Sequence, residues 1–211
     1  MTGEPDKNPV LMLHGINDTS AVFDKMATYL DALGWTPHLL DLAPSNGDCH
    51  LEVLAAQVAR YAEDTFPAEQ PFDLIGFSMG SIVSRYYLQR LGGINRVQRF
   101  IAISGPHHGS QLAFLSRRPG CVQMRPGSNF LQDLNQDMVE TLGRIHLTSL
   151  WTPLDLMILP ASSSRLPVGR EVKVDVLLHP WMLTDWRSIQ AVAEALEATL
   201  PTQVVVDPSP T

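Results

Sequence analysis

The chain alternates short apolar runs with longer amphipathic stretches. Val10-Leu11-Met12-Leu13 is an unbroken apolar run that stops at His14-Gly15, which predicts a strand buried on both faces. Val22, Phe23, Met26, Tyr29, Leu30 and Leu33 then recur at helical spacing. Asp18, Thr19 or Ser20 can cap the start of that helix, and Gly34 closes it. A second strand is predicted over His38–Leu42, entered through Pro37, and a helix over Leu51–Tyr61. Phe72–Phe77 reads as a third strand, and Ile82, Val83, Tyr86, Tyr87 and Leu91 form a helical stripe ended by Gly92-Gly93. Val97–Ile103 reads as a fourth strand, and Gly105–Ile145 carries mixed signals with several Gly and Pro. Two more strands are predicted over His146–Trp151 and Val172–Leu178. Ile189, Val192, Ala193, Leu196 and Leu200 give a final helix, capped by Thr184 or Asp185, and Pro201–Thr211 reads as a frayed tail.

Strands alternating with helices imply an α/β fold: about six mostly parallel strands with helices on both faces. The pattern fits one domain over residues 1–200, with 105–145 as an insertion and no large cap domain. Ligands gather at the carboxyl ends of the strands in such sheets. That points to His14–Asp18, Gly76–Ser81, Ser104–His108, Thr152–Asp155 and His179.

Composition narrows the chemistry. With 211 residues, 45% hydrophobic and 18% charged, the chain is long enough to bury a core unaided. A net charge of −7 with no basic face argues against nucleic acid as a partner. No apolar run reaches the roughly 18 residues of a membrane span. Met1 to Pro9 is polar, which predicts a cytoplasmic chain, although a secreted chain whose signal had been removed would look the same. The two cysteines, Cys49 and Cys121, make neither a disulfide framework nor the spacing of a zinc site. The chain is expected to be a monomer.

Gly76-Phe77-Ser78-Met79-Gly80 lies between a predicted strand and a predicted helix. In that context G-x-S-x-G is a nucleophile elbow, and the glycines let strand and helix approach closely. Outside it, the same residues would be only a small-residue turn. A serine needs a base, and a base at a strand end needs a carboxylate to orient it. Of seven histidines, His179 is the best base, because it follows a predicted strand and Pro180 keeps it extended. Asp155 is the favoured acid. Asp175 is the rival, but it is predicted mid-strand, where its side chain would point to a sheet face. The order Ser78, Asp155, His179 is one of the known triad orders. The backbone N–H groups of Ile16 and Met79 are the candidate oxyanion-hole donors. Candidate pocket residues are His14, Asn17, His107 and Trp181, although His14 also suits a role in shaping the first loop and Trp181 could equally pack the last helix.

VLMLHGIND at 10–18, DLIGFSMGS at 73–81 and AISGPHHGS at 102–110 resemble a small bacterial lipase of the α/β-hydrolase fold, of the triacylglycerol lipase type. MRPGSNFLQDLN at 124–135, TSLWTPLDLMILP at 148–160 and DVLLHPWML at 175–183 extend the resemblance across nearly the whole chain. It implies carboxylic-ester hydrolysis through an acyl-enzyme on Ser78, Asp155 and His179, with Ile16 and Met79 at the oxyanion and no cofactor. An acyltransferase, thioesterase or amidase would use the same triad, and a non-catalytic relative the same fold. The resemblance also implies an ester or lipid substrate. Ala113-Phe114-Leu115, Val122, Met124 and Phe130-Leu131 make 105–145 either a partial lid in peripheral contact with a lipid surface or two short helices packed on the core, with Arg117-Arg118 a solvated pair. The chain departs from the family at Asn17-Asp18, where glycines are common, at Ser81 and Pro180, where glycine is common, and in the length of 105–145. Asn17 or Asp18 would crowd the acyl pocket or add a polar contact.

Overall fold

The computed structural model of the protein describes residues 7–198. The far end of the predicted last helix, at Leu200, and the predicted tail Pro201–Thr211 lie outside the described residues. Six strands form one sheet in the order β2-β1-β3-β4-β5-β6. They are β1 (Pro9–Leu13), β2 (Thr36–Leu40), β3 (Phe72–Phe77), β4 (Val97–Ile103), β5 (His146–Trp151) and β6 (Arg170–Lys173). Every neighbouring pair is parallel.

Strand residues alternate between two cores. Leu11, Leu13, Phe72, Leu74, Phe100 and Ala102 face α2 (Leu51–Thr65) and α3 (Met79–Arg90). Val10, Met12, Ile75, Phe77, Ile101 and Ile103 face α1 (Asp24–Ala32) and α7 (Trp186–Glu197). Helices thus cover both faces, which is why the strands read as continuous apolar runs rather than as alternation. Gly34, at φ +88°, ends the first helical segment as its composition predicts, and the Asp185 side chain caps α7 by accepting from Arg187 N–H. Among the described residues, no helix is long and apolar enough to cross a membrane.

Both edge strands differ from the sequence reading. β2 begins at Thr36 and stops at Leu40 instead of running from His38 to Leu42. The Leu42 N–H leaves the ladder and donates to His14 Nε2 at 2.9 Å. Pro37 is tolerated because β2 has a neighbour on one side only. β6 is Arg170–Lys173, not Val172–Leu178. Pairing ends once Val174 N–H bonds Trp151 O at 2.9 Å. Val174 and Val176 reach the core from a loop, so their apolar character does not mark a strand.

The 105–145 stretch holds a 3-10 turn at Gln111–Leu115 and three short helices, α4 (Pro119–Gln123), α5 (Asn129–Gln136) and α6 (Met138–Leu142). Leu131, Leu134, Met138 and Leu142 belong to the core. Arg85, fully buried on α3, donates to Leu134 O at 2.7 Å and Asn135 Oδ1 at 3.0 Å, and burial draws its pKa down to about 9. Arg90 adds ion pairs to Asp133 and Asp137, both at 2.9 Å. Removing Arg85 leaves a void and takes the donor from Asn135 Oδ1, while Leu134 O keeps its bond from Gln89 at 2.7 Å. Arg85→Ala is therefore expected to destabilise the protein by about 3 kcal/mol, read as a lower urea midpoint at unchanged slope.

Candidate active site

The strand order places the site. From β1 the chain moves outward to β2, then returns across β1 to β3 and continues to the other edge. The loops that leave β1 and β3 therefore diverge, and a crevice opens between them at the carboxyl edge. Leu13 of β1 pairs with Gly76 of β3, so the segment after His14 and the segment after Phe77 start side by side.

The loop after β1 is shaped by His14. This ring is fully buried, and its Nε2 accepts from Leu42 N–H, which leaves the proton on Nδ1 to donate to Gly15 O at 2.9 Å. Asn17 adopts a left-handed conformation, φ 61°, and its N–H bonds Ser45 O at 3.0 Å. Ser45 Oγ in turn donates to Asp18 O at 2.9 Å. The loop is thus clamped to the segment after β2, while Ile16 N–H has no acceptor among the described residues.

After β3 comes the turn at Ser78, with φ 53° and ψ −121°, a conformation that L residues rarely adopt. Ser78 N–H is held by Ile103 O at 2.8 Å. A Cβ on Gly76 would sit 2.7 Å from both Ser81 Cα and Ser84 Oγ, and one on Gly80 would run into the carbonyl oxygens of Leu13 and His14. Both glycines are therefore required by backbone approach. Ser81 is accommodated because its hydroxyl donates to Gly76 O at 2.6 Å. Met79 is the first residue of α3, so its N–H has no intrahelical acceptor and sits at the positive end of the helix.

Asp155 and His179 meet in the loops after β5 and β6. His179 Nδ1 lies 2.7 Å from Asp155 Oδ2. Asp155 Oδ1 accepts from Met157 N–H and Ile158 N–H, both at 2.9 Å. Burial pushes the Asp155 carboxyl up, but the hydrogen bond and charge of His179 and those two amides outweigh it, and its pKa ends below the ordinary value. The His179 ring packs on Phe77, centroid to centroid 4.7 Å, directly before the nucleophile position. With Nδ1 turned to the carboxylate, Nε2 is left as the acceptor. Ser78 is 8% exposed and forms no hydrogen bond to His179 in this conformation; such bonds often tighten only around substrate.

Asp175 is not mid-strand as expected. It sits on the loop past β6, exposed and paired with Lys173 at 3.4 Å, and the carboxylate bonded to His179 is that of Asp155. The tentative pocket residues separate. His14 is internal and holds its loop. His107 is fully buried, and burial together with Arg85 and His108 holds its pKa well below the usual histidine value. Asn17 and Trp181 are exposed at the rim. The sequence reading did not single out Phe77 as the platform for the imidazole. It included Thr152 in the stretch after β5 but not its tie: the hydroxyl donates to Val176 O at 2.7 Å and joins the acid's loop to the base's loop. The polar residue just ahead of Pro153 was the available signal. Leu154, Leu156 and Met157 beside Asp155, and Leu177, Leu178 and Trp181 beside His179, are all exposed apolar residues. Among the described residues, no group of three or more His, Cys, Asp or Glu is placed to hold a metal.

The sequence profile of the alpha/beta hydrolase fold matches residues 8–199. The chain belongs to the α/β hydrolase fold family. Solved structures similar to this hydrolase-fold chain include the mature lipase BlEst2 of Bacillus licheniformis, at 19% identity and TM-score 0.72, covering 92% of this chain and 93% of that one. Aspergillus fumigatus lipase B aligns at 18% identity and TM-score 0.77, covering 92% of this chain and 54% of the fungal one. A Listeria innocua gene product aligns at 14% identity and TM-score 0.70, covering 92% and 95%. The family and the parallel six-stranded sheet agree with the expected α/β-hydrolase fold, and no large cap is evident among the described residues.

The lowered Asp155 pKa has a thermodynamic consequence. A carboxyl whose folded pKa lies below its unfolded value of 3.8 stabilises the fold above that value, and the contribution is lost as pH falls through the folded pKa. The stability gap between the native protein and Asp155→Asn, read by urea unfolding, is expected to be larger at pH 7 than near pH 3.

Proposed function

We propose that this hydrolase-fold chain is a serine hydrolase of carboxylic esters, acting through an acyl-enzyme on Ser78. The observation that carries the reading is the 2.7 Å Asp155–His179 bond beside a serine held in a strained strand-to-helix turn. His179 Nε2 takes the proton of Ser78 Oγ as the oxygen attacks the ester carbonyl. Asp155 keeps the other ring nitrogen protonated and stabilises the imidazolium that forms. The Ile16 and Met79 N–H groups receive the oxyanion, and the α3 dipole favours the charge. His179 then gives its proton to the leaving alcohol. Water enters by the same route, and the acid departs as Ser78 is restored.

The substrate end of the reading rests on the rim. Exposed leucines, Met157 and Trp181 on the two loops that carry the acid and the base suit an apolar acyl chain or a lipid surface. Two of the similar structures, from Bacillus licheniformis and Aspergillus fumigatus, are lipases, which supports the same reading. Ser78→Ala is expected to lower kcat on a short-chain ester by at least about a thousandfold. It is also expected to abolish labelling by a fluorophosphonate probe that marks the native protein. Full activity in Ser78→Ala would overturn the proposal.

A further inference from the structure

Asp18 stands beside the nucleophile, and the mechanism gives it no role. A Cβ built on Gly15 would lie 2.9 Å from Asp18 Oδ2, 3.2 Å from Ser78 Cβ and 3.3 Å from Phe77 Cδ1. Asp18 Oδ2 and Ser78 Cβ therefore lie within about 6 Å of each other, both against Gly15. Asp18 is half-buried, and its place is fixed from the backbone, since Ser45 Oγ bonds its carbonyl and Ser45 O holds the neighbouring Asn17 N–H. Its carboxylate, by contrast, accepts from no group among the described residues. Burial raises its pKa, and the only charges that pull it back are those of His14 and His179. His14 spends its ring nitrogens on Leu42 N–H and Gly15 O, and the Nδ1 of His179 is turned to Asp155.

A carboxylate in that position is a burden for neutral esters. It is partly desolvated without a donor, and it lies near the place where negative charge develops on the substrate. A cation brought by the substrate removes both costs. Resting on the ester-hydrolase reading above, we propose that Asp18 is a specificity-determining residue: it receives a cationic group, a quaternary or protonated amine, borne close to the scissile ester. Anionic groups at the same place are rejected.

The test compares kcat/KM for matched esters on the native protein and on Asp18→Asn, which keeps the side-chain shape. One pair is butyrylcholine and its uncharged carbon isostere, which places the cation on the alcohol side. The other is an aryl ester of trimethylammoniobutyrate and its carbon isostere, which places the cation on the acyl side. The native protein is expected to prefer the cationic member by about tenfold in one pair, which identifies the side. Asp18→Asn is expected to bring that ratio close to one. Because Asp18 ionises above its raised pKa, the native preference is present at neutral pH and fades as pH falls into that range. The protonation of His179 cancels in a ratio of two substrates on one enzyme. A native ratio near one in both pairs, or a ratio unchanged in Asp18→Asn, overturns the role of Asp18 and leaves ester hydrolysis standing. Absence of hydrolysis of all four esters by folded native protein overturns both.

Discussion

The top of the sheet depends on how closely α3 approaches β1 and β3. Gly80 lets the helix backbone press against the last carbonyls of β1, and Gly76 lets it press against the end of β3. No side chain larger than hydrogen fits at either point. That approach forces Ser78 into its left-handed conformation and turns Met79 N–H out of the helix. It also brings the loop after β1 within reach of the nucleophile. The strain in one residue is thus offset by packing over three elements, which is how a folded chain maintains a conformation that the isolated turn would abandon.

Much of this was legible from the residues, for a local reason. A buried parallel strand must be apolar throughout, and an elbow must have its two glycines at fixed spacing, so β1, β3, β4, β5 and Gly76–Gly80 announced themselves. The edges did not. Pairing on one side leaves β2 and β6 with little pattern, and the apolar Val174 and Val176 enter the core from a loop that resembles a strand in sequence. The catalytic candidates survive the shift because His179 needs only to follow β6, not to touch it. Asp18 was legible as part of the loop after β1, but the clamp by Ser45 that fixes it was not, because Ser45 is distant in sequence and unmarked by any periodicity.

The insertion after His108 shows how a polar interior can serve packing. Arg85 is buried whole, yet it is met mainly by a carbonyl and an amide oxygen rather than by a carboxylate. The arrangement adds polar ties between α5 and α3 to the apolar contact of Leu131 and Leu134 and the stacked Tyr86–Phe130 pair. It leaves Gln111–Leu115 as the part of the stretch nearest solvent, with Phe114 and Leu115 outward.

The shortness of β6 carries its own consequence. Only four residues of that edge strand join the sheet, and the chain then runs free of the ladder through Val174–Leu178 before reaching His179. Bonds from Val174 to Trp151 and from Thr152 to Val176, and the burial of both valines, hold this run in place, while Leu177 and Leu178 are exposed. A segment so lightly tied opens at a lower free energy than the sheet beside it. On that ground His179 is expected to leave Asp155 before the six strands part, which makes displacement of the imidazole and melting of the core separable events.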